Sequence, residues 1–249
     1  MPDLVTTTLA DRPELEAVMW AMPDRWPEFM GHDEIAAALF SQVSSTFPHL
    51  CMVATEGDEV VARAFAAPFI LHTDRRGTLP DGGWDRVLTW AFRDHRNNTK
   101  PDTVTALEIA VRPDRLGAGM SHSMLGALRA AAAAAGFGEL VAPVRPNGKH
   151  AEPHTPMTDY VARTRDDGLP VDAWLRTHVR AGATVDSVAP RSMVIAGSLA
   201  EWRAWTGLPF DETGEVTVPE ALVPVRCQVE HDYAVYVEPN VWVRHRLSA

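Results

Sequence analysis

A chain of 249 residues with a net charge of −10 and a pI of about 5.4 has room for one large domain or two small ones. Its 46% hydrophobic and 22% charged residues support a sizeable core and exclude a disordered tail, and the acidic balance argues against bulk nucleic-acid binding. Cys51 and Cys227 form no CxxC pair, the N-terminus has no basic stretch ahead of an apolar one, and no run approaches ~18 apolar residues. These features predict no zinc ribbon, no secretory leader, no membrane span and a reducing, cytoplasmic setting.

LVTTTL predicts a first strand, and Asp11 a cap for the helix that follows, with Pro13 in its first turn and Leu15, Val18 and Met19 on one face. A loop over 24–33 carries Trp26 and Phe29, and DEIAAALFSQV predicts a second helix. CMVATEGDEVVARAFAAPF predicts a hairpin turning at Glu56, Gly57 and Asp58. GWDRVLTWAFRDH places Val87, Leu88 and Phe92 at helical spacing, and VTALEIAV is the clearest strand. Alternation along it puts Leu107, Ile109 and Val111 on one face, and Ala106, Glu108 and Ala110 on the other. An alanine-rich helix follows from about Ala118 to Ala135, stopped by Gly136. ELVAPVRP predicts a strand, 146–170 an ordered surface loop, and VDAWLRTHVRAGA a short amphipathic helix. SMVIAG, EVTVP, LVPVRCQV and YAVYVE predict short strands, and LAEWRAWTG one helical turn. His150 and His154 stand four apart, but Pro153 and Pro156 argue against a helix, so no metal is assigned. The order is that of a mixed α/β domain around one central sheet.

Between the clearest strand and the alanine-rich helix lies LGAGMS. Glycine weakens a helix start, so Gly117 and Gly119 imply that bare backbone is wanted there. First-turn N–H groups lack helical partners and carry partial positive charge, which suits an anion such as a pyrophosphate. No Gly-Lys-Ser/Thr closes the loop and no GxGxxG is present. By spacing alone, an anion site and a plain strand-to-helix turn fit equally.

VRPDRLGAGMSHSMLGALRAAAAAAGF resembles the acetyl-CoA-binding motif of the GCN5-related N-acetyltransferase (GNAT) superfamily, in which a V-x-P strand end precedes R-x-x-G-x-G/A and a helix. The loop positions fall on Leu116, Gly117, Ala118, Gly119, Met120 and Ser121; the family's arginine is Leu116, with Arg115 one place earlier. The resemblance implies a GNAT fold: a mixed, mostly antiparallel central sheet flanked by helices. It implies a single domain over 1–249, with the acyl-CoA loop in 1–145 and acceptor-side elements in an elaborated 146–249. Acetyl-CoA or another acyl-CoA would be the cosubstrate, without a metal, on the loop, on Ala110 and Val111 at the strand end, and on Asn147. The family's tyrosine acid falls on His178, and a carboxylate base on Glu108, whose burial would make it a better base.

RDDGLPVDAWLRTHVRAGA, SMVIAGSLAEWRAWTGLPF and YVEPNVWVRH are similar to the GNAT-like domains of polyketide synthase loading modules. That likeness implies a role for His178, a wall at Trp26 and a carboxylate partner at Arg191, although ELVAPVRP lacks the threonine those domains use. Three functions are open: acyl-CoA-dependent transfer, as an N-acetyltransferase would perform, to a small-molecule amine or a carrier protein; malonyl-thioester decarboxylation or S-acyl transfer with an acyl carrier protein; or a non-catalytic acyl-CoA sensor, favoured by Leu116. The strand edges of such a fold suit pairing with a second copy.

Overall fold

The computed structural model describes residues 4–247. The threonine-rich start forms β1 (Leu4–Thr8). Asp11 does not cap the next helix: its carboxylate accepts from Thr8 Oγ1 at 2.6 Å, and Pro13 opens a 3-10 turn before α1 (Glu16–Trp20). The capping falls to Asp33, which accepts from Ala36 N at 2.8 Å and starts α2 (Glu34–Leu39); a second 3-10 turn separates it from α3 (Val43–Thr46). The expected hairpin is β2 (Cys51–Glu56) and β3 (Glu59–Phe69), with Gly57 at φ +61° in the turn.

Then come α4 (Gly83–Arg96), β4 (Thr103–Val111), α5 (Met120–Ala134) and β5 (Glu139–Val144). The stretch over 146–170 is not all loop, because Pro156 starts a short α6 (Met157–Val161). Asp172 caps α7 (Ala173–Arg180), accepting from Trp174 N and Leu175 N. Next are β6 (Thr184–Gly197), α8 (Leu199–Thr206) with a Ser198–Glu201 capping box, β7 (Gly214–Val216), β8 (Val225–Gln228) and β9 (Tyr233–Arg246). The expected strand at YAVYVE continues through Pro239, whose missing N–H lies opposite the irregularity in β6 between Ala189 and Met193.

The nine strands of the described residues form one mixed sheet, in the order β1-β2-β3-β4-β5-β9-β8-β7, with β6 on β9. Only β4 and β5 run parallel, and they pair at two positions alone, Val104 with Leu140 and Thr105 with Val141. Beyond these the strands part, which leaves a wedge between the far ends of β4 and β5. On its β9 side, residues 241–246 pair with β5 and 233–235 with β8, so the edge between them is unpaired at 236–240.

The alternation expected of β4 breaks at Leu107. Phe65 pairs with Glu108 and Ala66 with Ala106, so Leu107 is an extra residue, and Trp84 Nε1 donates to its carbonyl at 2.9 Å. Ala106 therefore joins Val111 in the core under α5, while Leu107 and Ala110 join Phe65 and Trp84 on the face covered by α1–α4. Glu108, cross-strand from Phe65, lies on that second face.

Helix α4 is fitted to β6 at Gly83, which has φ +38° and whose Cβ would lie 2.6 Å from Ser192 Cα. Trp84 N donates to Ser192 Oγ at 2.8 Å in the same contact. Gly83→Ala is expected to cost ~2 kcal/mol or more and lower Tm by at least ~4 °C in thermal unfolding.

Candidate active site

The β4-to-α5 turn begins with Pro113 in a 3-10 turn and passes through Gly117 at φ +84° and Gly119 at φ +77°. A Cβ on either glycine would touch nothing within 4 Å, so left-handed backbone, not crowding, selects glycine here. The main-chain N–H groups of Leu116, Gly117, Ala118, Gly119, Met120 and Ser121 have no hydrogen-bond acceptor among the described residues. Six consecutive free donors at the start of a fifteen-residue helix form an anion cradle. Neither arginine next to the loop is free to assist. Arg115 is held by Glu56 at 3.0 Å and Asp114 at 2.8 Å, Arg112 by Glu59 and Asp114, and Leu116 is exposed. Ala110 and Val111 are buried at the end of β4 beside the wedge, and Asn147 is exposed just past the end of β5.

Glu108 is 8% exposed and is matched by a buried cation. Arg63 Nε donates to Glu108 Oε2 at 2.7 Å, and Arg63 Nη2 donates to Asp24 Oδ2 at 2.6 Å. The remaining Arg63 donor meets the Met19 and Met22 carbonyls at 3.3 Å, which fixes the loop after α1. Glu108 Oε1 accepts from Trp26 Nε1 at 2.9 Å. The Trp26 ring, 43% exposed, lies 5.9 Å from the Arg145 guanidinium, just past the end of β5. Arg145 in turn pairs with Glu238 at 2.9 Å, and Tyr236 and Asn240 both donate to that carboxylate. Tyr236, Glu238 and Asn240 come from the unpaired edge of β9. Trp26 thus spans the wedge, from an Arg–Glu pair on β3 and β4 to another on β5 and β9.

His178 lies elsewhere. It is 2% exposed on α7, with Trp174 edge-on to its ring, and its Nδ1 is 2.9 Å from His245 Nε2, so one proton lies between them. Burial, then the nearby His245, pulls His178 down to about 3; burial and Arg129 pull His245 down to about 4. Both rings are neutral at pH 7, so His178 can hydrogen-bond there but carries no cationic acid. Arg191 is exposed at the β6 irregularity, and its side chain makes no ion pair or hydrogen bond among the described residues. Arg63, Arg145, Glu238 and His245 were not anticipated from the sequence. Only Arg63 left a signal there, as a lone charge inside the apolar run VVARAF.

Asp33 and Asp85 form a second acidic feature on the α2–α4 side. Among the described residues Asp33 Oδ2 and Asp85 Oδ1 are buried without a hydrogen-bond partner, while Val194 N donates to Asp85 Oδ2 at 3.1 Å. Burial first, then the charge of Asp33 with a smaller contribution from Glu238, pushes Asp85 up to about 8, and burial also raises Asp33. Asp85 therefore keeps a proton through neutral pH. The unfolded chain releases that proton near pH 4 but the folded one keeps it to about pH 8, so the contribution to stability is full in acid and is lost as pH rises across that window. Tm is expected to fall between pH 6 and pH 9, and Asp85→Asn to recover at least ~3 °C at pH 9 in parallel melts.

Among the described residues, no group of three or more His, Cys, Asp or Glu side chains is placed to hold a metal, and no helix is long and apolar enough to cross a membrane. No family model matches the sequence. The chain is 31% identical over 277 residues to the arginine N-acetyltransferase avaD of Aspergillus versicolor, covering 98% of this chain and 94% of the relative. Its fold is similar to the loading GNATL domain of CurA from Lyngbya majuscula, at TM-score 0.61 and 16% identity over 98% of this chain and 96% of that one. It is also similar to the GphF GNAT-like decarboxylase in complex with isobutyryl-CoA, at TM-score 0.58 and 16% identity over 99% and 100%. The parted β4 and β5, the glycine cradle and the full-length relative agree: the chain belongs to the GNAT superfamily and is an acyl-CoA-dependent acyltransferase.

Proposed function

We propose that this enzyme transfers an acetyl group from acetyl-CoA to an amine of a small cationic substrate, with arginine as the first candidate. The observation that carries the donor half is the run of six unpaired N–H groups at 116–121, at the mouth of the β4–β5 wedge. These donors would hold the pyrophosphate, and the main chain at Ala110 and Val111, with Asn147 across the wedge, would line the path of the pantetheine arm. Arginine enters through the 31%-identical relative, an arginine N-acetyltransferase. An acceptor side carrying Asp24, Glu108, Asp33, Asp85 and Glu238 against Arg63 and Arg145 is consistent with a cation.

Glu108 is the group proposed to take the amine's proton, directly or through one water. Its Oε2 is committed to Arg63, whereas Oε1 is held more loosely, by Trp26 and by a 3.3 Å contact from Arg63. The freed amine attacks the acyl carbon, the C–S bond breaks, and the thiolate leaves to take up a proton. His178 would act as a neutral hydrogen-bond donor or support α7, and Trp26 would form a wall of the acceptor site. Acyl transfer to an amine is favoured over malonyl decarboxylation because β5 carries no hydroxyl side chain. Arg191, the candidate carboxylate partner for that second chemistry, is exposed.

With acetyl-CoA and arginine, release of free CoA and a singly acetylated product are expected, with no CO₂ from malonyl-CoA. Saturable acetyl-CoA binding without transfer to any amine would instead support a sensor. Glu108→Gln, which keeps an acceptor for Arg63, is expected to lower kcat ~10²-fold or more with the fold intact by circular dichroism. Gly119→Val is expected to weaken acetyl-CoA binding at least ~10-fold in calorimetry, because a branched side chain disfavours the left-handed cap.

A further inference from the structure

The side chain that touches both ion pairs of the wedge is Trp26, and each of its two contacts has a chemical sense. Its N–H donates to Glu108 Oε1 at 2.9 Å, and its electron-rich face is turned to the Arg145 guanidinium at 5.9 Å. The indole therefore presents a hydrogen-bond donor to a carboxylate at one end and negative charge density to a cation at the other.

Both protein groups keep capacity at these points. Glu108 Oε2 is taken by Arg63 Nε at 2.7 Å, which leaves Oε1 as the atom a guest can claim. Arg145 spends Nε on Glu238 and Nη2 on the Glu220 carbonyl, and its Nη1 has no acceptor among the described residues. The backbone beneath the indole is anchored. Trp26 N donates to Asp24 Oδ1 at 3.1 Å, and Asp24 is pinned by Arg63. A rotation of the half-exposed Trp26 side chain would uncover both contacts with no movement of the loop.

We infer that, in the free protein, the Trp26 indole holds the place of the acceptor, and that the acceptor fitting there is a free α-amino acid, its ammonium on Glu108 Oε1 and its carboxylate on Arg145 Nη1. The inference rests on the acyl transfer proposed above and names the nitrogen that reacts. A simple amine would satisfy Glu108 and leave Arg145 unanswered. A diamine would bring a second cation towards a guanidinium. An α-amino acid carries the required pair of opposite charges on neighbouring carbons, with charge-assisted contacts of ~2.8 Å at each end. For arginine, this presents the α-amine to the acyl carbon and directs the side chain away from Glu108. The choice agrees with basicity, since an α-amine loses its proton several pH units below a guanidinium. The α-ammonium gives one proton to Glu108, its nitrogen bonds to the acyl carbon as the C–S bond breaks, and the products are the Nα-acyl amino acid, CoA thiol and one released proton.

The test compares arginine, arginine methyl ester and agmatine as acceptors with acetyl-CoA, locating the acetyl group by fragmentation mass spectrometry. Arginine is expected to exceed both carboxylate-free analogues roughly 10²-fold in kcat/KM, with the acetyl group on the α-nitrogen. Arg145→Gln is expected to bring the three acceptors within ~3-fold of one another, mainly through KM. Since that change also unpairs Glu238, Trp26→Phe is the companion variant. Loss of the indole N–H makes the side chain easier to displace, so KM for arginine should fall a few-fold while the preference for the carboxylate stays. A Trp26 that serves only as a wall would raise KM instead. Equal use of agmatine, acetylation of the guanidino group, or a raised KM in Trp26→Phe would each overturn the inference and leave acyl transfer standing. Acetyl-CoA binding without acetylation of any amine would remove acyl transfer, and the inference with it.

Discussion

The proposed acceptor face is organised by one buried ion pair, Arg63 with Glu108. The two residues sit on adjacent strands and almost out of water, where removing either partner typically costs ~3–5 kcal/mol. The cation also fixes what surrounds it. It collects the Met19 and Met22 carbonyls and the Asp24 carboxylate, which sets the loop after α1 and delivers Trp26 to the wedge. The bulge at Leu107 is what brings Glu108 onto this face. Without the extra residue, Glu108 would share a face with Ala106, under α5. Trp84 secures that irregularity through the Leu107 carbonyl, so α4 supports the site without reaching into it.

The two halves of the site rely on different physics. The proposed donor side is made of main-chain dipoles at a helix start, with its nearby arginines already neutralised by Glu56, Glu59 and Asp114. The proposed acceptor side is made of side-chain charges held in pairs across the wedge. A backbone cradle tolerates changes of side chain, so the proposed donor role does not depend on the residue at Leu116. A set of paired charges does not, because each member leaves its partner unmatched when it is changed.

Much of the fold was legible in the sequence because its strands and helices have clean periodicity and the turns use glycine where the backbone needs it. The LGAGMS turn combined both signals, so the strand-to-helix turn was legible in the residues, while the donor site proposed there came from the family resemblance. What stayed hidden was pairing at long range. Glu108 was found as a candidate, but Arg63 is 45 positions away, and His178 meets His245 across 67. The Leu107 bulge was also invisible, since one inserted residue leaves an apolar strand apolar. Pro239 misled in the other direction: it reads as a strand end, yet β9 passes through it where β6 has its own irregularity.

The contrast between His178 and Glu108 shows what local sequence pattern can and cannot assign. Both are ionisable residues at positions where acid–base chemistry is expected, and both are buried. Glu108 has a counter-cation and one oxygen facing an exposed side chain, so the carboxylate is paired and within reach. His178 has another imidazole and the Trp174 ring beside it and a guanidinium beyond, an arrangement that favours the neutral ring. A pattern match gives the residue type and its place on a helix. The charge it carries is decided by partners on other strands, and here those partners set a carboxylate paired with a guanidinium at the wedge apart from a neutral imidazole pair beneath α7.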